Sequence, residues 1–195
     1  MELLLATRNA HKVEEFARIL EPHTVVPLPD EVELPPETGT TFIDNALIKA
    51  RAAAEATGRA AFADDSGIAA AALDGAPGVY SARYAGPDAT DEENLFKLLR
   101  EVPADGDRTV AYVCALVFIE PGADPVLFEN RCLGTLATDP RGTGGFGYDP
   151  AFLPLDIDDG RTMAELTAAE KDGISHRGRA ARAFRDWLEE QEQAA

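Results

Sequence analysis

Positive charge is scarce in this sequence of 195 residues, which has 18 lysines and arginines against 35 aspartates and glutamates and a formal net charge of −17. Nucleic acids and anionic membranes bind proteins through basic surfaces, because lysine and arginine neutralise phosphates and release counterions. We therefore expect neither a nucleic-acid polymer nor a membrane to be a partner of the protein as a whole.

Cysteine and long apolar runs are also scarce. The two cysteines, Cys114 and Cys132, form no C-x-x-C pair and no zinc-binding spacing. The longest apolar run, Val110 to Ile119, has ten residues, whereas a membrane span needs about 20. The opening residues lack the basic segment and the cleavage site of a signal peptide. We expect a cytoplasmic protein whose two thiols are reduced and lie in the core.

The composition and the order of predicted elements indicate one α/β domain over residues 1–195. Hydrophobic residues make up 45% and charged residues 27%, as in globular proteins. Hydrophobic periodicity and capping signals predict strands over 2–6, 23–28, 60–63, 109–119 and 126–137, the last two as a hairpin, and helices starting near Asn9, Thr41, Thr90, Thr167 and His176. We expect the third strand to end on Asp64-Asp65-Ser66-Gly67. Alternating strands and helices favour a mixed β-sheet flanked by helices.

The first strand-to-helix turn is a candidate phosphate site. It consists of Thr7, Arg8, Asn9, Ala10, His11 and Lys12. A helix N-terminus presents backbone N–H groups and the positive end of the helix dipole, so a phosphate can bind there beside Lys12 and the Thr7 hydroxyl. The turn is not a Walker loop, because G-x-x-x-x-G-K-[ST] does not occur in the chain.

Three carboxylates, Glu37, Asp64 and Asp65, follow predicted strands or lie in loops. Mg²⁺ prefers carboxylate oxygens and keeps several waters while it bridges substrate phosphates. If the strand continues through Asp64 and Asp65, their side chains point to opposite faces, so one can hold metal or water while the other makes structural hydrogen bonds. The alternative interpretation is an ordinary Asx turn that ends a strand.

A glycine-rich loop and a basic segment are candidate sites for a base and an anion. The loop contains Phe146, Gly147, Tyr148 and Asp149, where an aromatic face could stack on a nucleobase and a carboxylate could accept its N–H groups. Residues 171–185 contain five bases and one acid, including Lys171, and His176-Arg177 begin the last predicted helix. The alternatives are core aromatics that anchor a loop and a solvated helix face that pairs with acids.

Taken in order, several segments of the chain resemble the inosine triphosphate pyrophosphatase family, also called dITP/XTP pyrophosphatases. The matching segments are Thr7–Lys12, Glu37–Phe42 with Asn45-Ala46 and Lys49-Ala50, Ala63–Gly67, Pro77–Tyr84, Gly145–Pro150, and Ala164–Leu166 through Lys171 to Ser175–Gly178. They cover residues 3 to about 182. Arg8 departs from the family pattern, which often has glycine there; the arginine could crowd the turn or add a phosphate contact.

The resemblance implies an enzyme that hydrolyses ITP, dITP or XTP to the monophosphate and pyrophosphate with Mg²⁺, as a homodimer. By position, Glu37 and Asp65 would hold the metal, and Asp65 would accept the proton of the attacking water. The resemblance assigns the triphosphate to Thr7–Lys12, Ser66 and Lys171, and the base to Phe146–Asp149 with His176 and Arg177. It also implies an elongated mixed sheet flanked by helices in two lobes, with the nucleotide in the cleft between them.

Specificity should depend on the edge of the base. Hypoxanthine and xanthine have a 6-oxo acceptor where adenine has an amino donor, so a donor such as Arg177 or a backbone N–H would reject ATP. Guanine shares the 6-oxo group, and we expect a pocket that closes against its 2-amino group. Other hypotheses are a pyrophosphatase for pyrimidine or modified-base triphosphates, a nucleotide sensor without hydrolysis, and an acidic protein-interaction domain.

Overall fold

Six strands and five α-helices lie within residues 1–194, the part of the chain that the computed structural model describes. The strands are β1 (Glu2–Leu5), β2 (Thr24–Pro27), β3 (Ala61–Ala70), β4 (Thr109–Ile119), β5 (Val126–Leu136) and β6 (Phe152–Pro154). The helices are α1 (Ala10–Ile19), α2 (Phe42–Thr57), α3 (Asp91–Glu101), α4 (Ala168–Ile174) and α5 (His176–Ala194). Short 3₁₀ turns lie at Ala71–Leu73, Gly78–Arg83, Asp149–Ala151 and Met163–Glu165.

The strands form one mixed sheet in the order β2-β1-β3-β4-β5-β6. β1 is parallel to β2 and to β3, whereas β5 and β6 are antiparallel. β4 and β5 are sheet neighbours joined by residues 120–125, a connection too short for a parallel crossover, so they form the predicted hairpin. The predicted α/β class with a mixed sheet is confirmed.

The chain groups into two compact units. The first unit comprises Met1–Asp65, Cys114–Asn130 and Arg177–Ala195, and the second comprises Ser66–Val113 and Arg131–His176. No helix within residues 1–194 has the length and apolar character of a membrane span.

In the first unit, strand alternation divides the core into two layers. One layer joins Leu3 and Leu5 of β1 and Phe62 of β3 to the buried sides of α1 and α5. The other joins Leu4 of β1 and Ala61 and Ala63 of β3 to the buried alanines of α2, which are Ala46, Ala50, Ala53 and Ala54. Side chains of consecutive strand residues point to opposite faces. Residue 64 therefore points toward α1 and α5, and residue 65 toward α2.

In the second unit, one core cluster packs α3 against strand residues. Leu95 and Leu98 of α3 belong to the same buried cluster as Ile68 of β3, Tyr112 of β4 and Phe152 of β6. The two cysteines are buried as predicted, Cys114 in the first unit and Cys132 in the second.

The prediction that the third strand ends at Asp64 was wrong, because β3 continues to Ala70. Asp, Ser and Gly favour turns when their polar groups must satisfy the backbone. In this strand, Asp64 and Asp65 instead accept from lysine, arginine and asparagine side chains. Gly67 allows the close approach of Ser81, since a Cβ at residue 67 would lie 2.3 Å from the Ser81 Oγ.

Replacing Phe184 with alanine should lower the free energy of unfolding by about 3–5 kcal/mol, as for other buried aromatic truncations. The Phe184 ring is fully buried, with centroid distances of 5.5 Å to Phe62, 5.2 Å to Phe118 and 5.5 Å to Phe128. Urea denaturation would measure the change. Phe96→Ala is the control, because Phe96 is 40% exposed, and equal losses in the two variants would contradict this account of the core.

Candidate active site

The turn before α1 is ordered by its own side chains. Asn9 caps the helix, since its Oδ1 accepts from the Lys12 N–H at 3.3 Å, and the Thr7 Oγ1 accepts from the Asn9 N–H at 3.2 Å. Ala10 and His11 are the first residues of the helix. The predicted phosphate turn therefore exists as a capped helix N-terminus, with the partial positive charge of the helix dipole at this end.

A buried charge cluster lies at the side of β3 that faces α1 and α5. The carboxylate of Asp64 is fully buried and pairs with the Lys12 Nζ at 2.9 Å and the Arg177 Nη2 at 3.3 Å. Burial alone would raise the pKa of Asp64, but the charges of Lys12, Arg177 and Lys49 together lower it far below its ordinary value. Burial also lowers the pKa of Lys12, which the attraction of Asp64 only partly offsets. The charges of Lys12 and Arg177 thus favour the ionised form of Asp64 beside the turn that precedes α1.

Arg177, which the sequence assigns to the base together with His176, is 2% exposed. Its guanidinium binds two carboxylates, Asp64 and, at 2.5 Å from Nη1, the Oε2 of Glu15. Glu15 was missed by the sequence analysis, although Lys12 and Glu15 are three residues apart and so share one face of α1. Arg177 pairs with acids, but as a buried residue and not as part of a solvated helix face.

Asp65 and Glu37 converge on one cation at the opposite face of β3. The Lys49 Nζ is 2.6 Å from the Glu37 Oε1 and 3.9 Å from the Asp65 Oδ1, and the Asn45 Nδ2 donates to the Asp65 Oδ2 at 3.0 Å. Asn45 and Lys49 are four residues apart on α2, where the small alanines bring the helix close to the strand. Asn45 and Lys49 were matched to the family pattern without a role, and this i, i+4 spacing is the signal that could have assigned one.

The pKa values in this second cluster are shifted in a direction that suits proton transfer. Burial raises the pKa of Asp65, the neighbouring Glu37 raises it further, and Lys49 opposes both. Lys49 has a raised pKa despite its burial, because Asp64, Asp65 and Glu37 surround it. A carboxylate with a raised pKa is a better proton acceptor than an ordinary aspartate.

The donor set fits a hard divalent cation. Glu37 and Asp65 supply carboxylate oxygens that already converge on one positive charge, the Lys49 ammonium. Among residues 1–194, His, Cys, Asp and Glu side chains form no group of three or more that could hold a metal. Two carboxylates are nevertheless the usual protein contribution to a Mg²⁺ ion that also binds water and substrate phosphates.

The Arg8 side chain is bound to the segment that follows β2. Its guanidinium donates to the carbonyl oxygens of Leu28 at 2.7 Å, Pro29 at 2.7 Å and Val32 at 2.8 Å. Arg8 therefore fastens the phosphate turn to the proline-rich segment that leads to Glu37.

In the second unit, Lys171 and Asp149 form a buried ion pair beside Phe146. The Lys171 Nζ is 2.6 Å from the Asp149 Oδ2 and 5.1 Å from the centre of the Phe146 ring. The same Asp149 oxygen accepts from the Phe146 N–H at 3.0 Å. The structure thus groups Lys171 with the predicted base-binding loop, whereas the sequence analysis had assigned it to the triphosphate. The Asp149 carboxylate binds protein donors and holds other site residues in place.

The rest of the loop is fixed by two residues that the sequence analysis missed. Asp91, the first residue of α3, accepts from the Gly147 N–H at 2.8 Å, and the Ser81 carbonyl accepts from the Tyr148 hydroxyl at 2.7 Å. Tyr148 is 5% exposed, so the core-anchor interpretation holds for it, while Phe146 is half-buried.

Two further predicted residues lie in ordered positions of the second unit. Ser66 follows Asp65 within β3 and is half-buried. His176 begins α5, is 5% exposed and stacks on the ring of Tyr112, with centroids 4.5 Å apart and planes 11° apart.

Asp64→Asn should lower the free energy of unfolding at neutral pH by about 3–5 kcal/mol, because it leaves Lys12 and Arg177 buried with less compensating charge. The folded-state pKa of Asp64 lies below the unfolded-state value, so its ionised form stabilises the fold above the ordinary aspartate pKa. That contribution is lost as the pH falls below this value. The difference in unfolding free energy between Asp64→Asn and the unaltered protein should therefore become smaller in acid.

Urea denaturation at pH values from neutral to acid would measure this difference. Asp30→Asn is the control, because the Asp30 side chain is fully exposed in its pair with Arg8, and such pairs contribute little. A difference that stays constant into acid, or is no larger than that of the control, would contradict the assignment of Asp64 as the buried anion.

Comparison with known proteins identifies the family of the chain. The sequence profile of the Ham1 family matches residues 3–187. Proteins named dITP/XTP pyrophosphatase from Shigella flexneri and Geobacter sulfurreducens are each 48% identical to the chain, over 96% and 95% of its length and 98% and 96% of theirs. A HAM1 protein structure from Coxiella burnetii superposes with a TM-score of 0.87 at 40% identity, covering 97% of this chain and 99% of that one. The chain belongs to the Ham1 family, which confirms the resemblance found in its sequence.

Proposed function

We propose that the chain is a Mg²⁺-dependent pyrophosphatase that hydrolyses ITP, dITP and XTP to the nucleoside monophosphate and pyrophosphate. The observation that carries this proposal is the convergence of Asp65 and Glu37 on one cation, in the unit that also contains the capped N-terminus of α1. The names of the Shigella and Geobacter relatives, both dITP/XTP pyrophosphatases, support it. Such an enzyme would remove non-standard purine nucleotides before they enter DNA and RNA.

In the first unit, positive charge would bind the triphosphate. Lys12, Lys49 and the N-terminus of α1 provide it, while Asp64 and Glu15 keep Lys12 and Arg177 in fixed positions. Because these charges are arranged before substrate binds, they need little reorganisation when charge develops on the phosphoryl oxygens. The Thr7 hydroxyl would add a hydrogen bond to phosphate.

Glu37 and Asp65 would hold the metal. When bound, Mg²⁺ would neutralise phosphate oxygens and polarise the phosphoryl group. Lys49 would then leave its close contact with Glu37 and turn toward phosphate, since its ammonium occupies the place where the two carboxylates converge.

Asp65 would act as the general base. Water would bond to phosphorus at the α–β anhydride, its proton would pass to an Asp65 oxygen, and the bond to the bridging oxygen would break to release pyrophosphate. Asn45 would orient the carboxylate through its hydrogen bond to Oδ2.

In the second unit, Phe146, Lys171 and His176 would bind the base. The exposed part of the Phe146 ring would stack on the purine, and the Lys171 ammonium, which lies over the same ring, would donate to the 6-oxo group. Adenine would place an amino donor against this cation, so ATP would be rejected. This assignment moves the donor role from Arg177 to Lys171. We also propose that the enzyme works in the cytoplasm as a homodimer.

A substrate panel tests the proposal. With Mg²⁺, the kcat/KM for ITP, dITP and XTP should exceed that for ATP by about 100-fold or more, as in sites built on polar matching. The products should be monophosphate and pyrophosphate, and chelation of the metal should abolish their release. Equal turnover of ITP, GTP and ATP would contradict the specificity. Preferred turnover of pyrimidine triphosphates, or stabilisation by nucleotides without any product, would replace the proposal with one of the other hypotheses.

Asp65→Asn should reduce kcat by about 100- to 10,000-fold, the usual range for loss of a general base. The asparagine amide has the shape of the aspartate carboxylate and retains one oxygen, so ITP should still bind. Calorimetry can measure this binding. Asp30→Asn provides a matched control at an exposed position. Turnover within a few-fold of the unaltered enzyme would remove Asp65 from the role of base.

A further inference from the structure

We propose that Tyr112 is a positioning residue for the purine base, one that sets the geometry of Phe146, Lys171 and His176 together. This inference rests on the proposed function. Tyr112 lies on β4, was not among the predicted site residues, and belongs to the core of the second unit.

The ring of Tyr112 supports His176. Tyr112 is 6% exposed, and its ring stacks with the imidazole of His176 at 4.5 Å and with the ring of Phe152 at 4.4 Å. Stacked aromatic pairs favour a limited range of offsets and angles. The imidazole plane of His176 is therefore set by a side chain that is itself locked in the core.

The hydroxyl of Tyr112 supports the other half of the base site. It donates to the Asp149 Oδ1 at 3.0 Å, while the Asp149 Oδ2 accepts from the Lys171 Nζ at 2.6 Å and from the Phe146 N–H at 3.0 Å. The Asp149 carboxylate is 2% exposed. Tyr112 thus fixes one oxygen of the carboxylate whose other oxygen places the cation and the stacking ring.

A phenylalanine in this position could make the same ring contacts, so packing alone does not require the hydroxyl. The Tyr112 hydroxyl supplies a hydrogen-bond donor to the Asp149 carboxylate, which needs donors because it is buried. A carboxylate held at one oxygen only can rotate, and Lys171 and the Phe146 backbone would move with it. The structure therefore separates the two roles of Tyr112, since the ring acts on His176 and the hydroxyl acts through Asp149.

Tyr112→Phe tests the proposal. The KM for ITP should rise about tenfold, the loss expected for one hydrogen bond to a charged group, while kcat changes less than twofold. The kcat/KM for ATP should fall less than that for ITP, since adenine has no 6-oxo acceptor for Lys171, so discrimination between the two substrates should narrow. The inhibition constant of inorganic tripolyphosphate should stay the same, because this ligand has no base.

The control variant is Tyr84→Phe, which removes a hydroxyl bonded to Glu101 rather than to Asp149. It should leave all these constants unchanged. A double-mutant cycle with Asp149→Asn tests whether Tyr112 acts through Asp149. If it does, adding Tyr112→Phe to Asp149→Asn should change the KM for ITP by less than a further twofold.

Three results would overturn the inference: a KM for ITP within twofold of the unaltered enzyme, equal losses for ITP, ATP and tripolyphosphate, or full additivity in the cycle. Thermal melting of each variant identifies a folding defect, and calorimetric binding of IMP to Tyr112→Phe decides the matter if turnover is too low to measure. IMP should then bind about tenfold more weakly, and unchanged binding overturns the inference. Failure of the proposed function is a separate result, because it would appear in the unaltered enzyme as absence of ITP hydrolysis.

Discussion

The ion pairs of Asp64 with Lys12 and Arg177 are the constraint on which the first unit depends. They join β3 to α1 and α5 through three side chains that are buried or nearly so. A buried carboxylate without partners would be strongly destabilising, and so would either buried cation. The pairing therefore fixes the start of α1 against the strand and with it the helix N-terminus at which we propose that phosphate binds. Glu15 completes the cluster by holding the other side of the Arg177 guanidinium.

Strand alternation then assigns a different role to the next residue. Because Asp64 points toward α1 and α5, Asp65 points toward α2, where Asn45 and Lys49 meet it. The two aspartates are adjacent in β3, but their pKa values are shifted in opposite directions. Neighbouring cations lower the pKa of Asp64, whereas burial raises the pKa of Asp65. Adjacent carboxylates with separated pKa values can act as a fixed anion and as a proton acceptor.

Much of this fold could be predicted from the sequence, because periodicity and capping are local properties. The capped helix after Asn9 and the hairpin of β4 and β5 are examples. The length of β3 could not be predicted, since its turn-forming residues are stabilised by side chains distant in sequence. The partners of Arg177 and Lys171 could not be predicted either, because they too are distant in sequence. A charged residue in a motif identifies a site, but only tertiary contacts decide which group it binds.

The two adjacent aspartates should have pKa values on opposite sides of the ordinary aspartate value of about 3.9, with that of Asp64 below it and that of Asp65 above it. Carbon-13 NMR titration of the two side-chain carboxyl groups measures this directly, with Asp64→Asn and Asp65→Asn used to assign the signals. We predict that Asp64 stays ionised to the lowest pH at which the protein remains folded, whereas Asp65 takes up its proton above the ordinary value. Titration of the two groups together, or of Asp64 before Asp65 as the pH falls, would contradict the account.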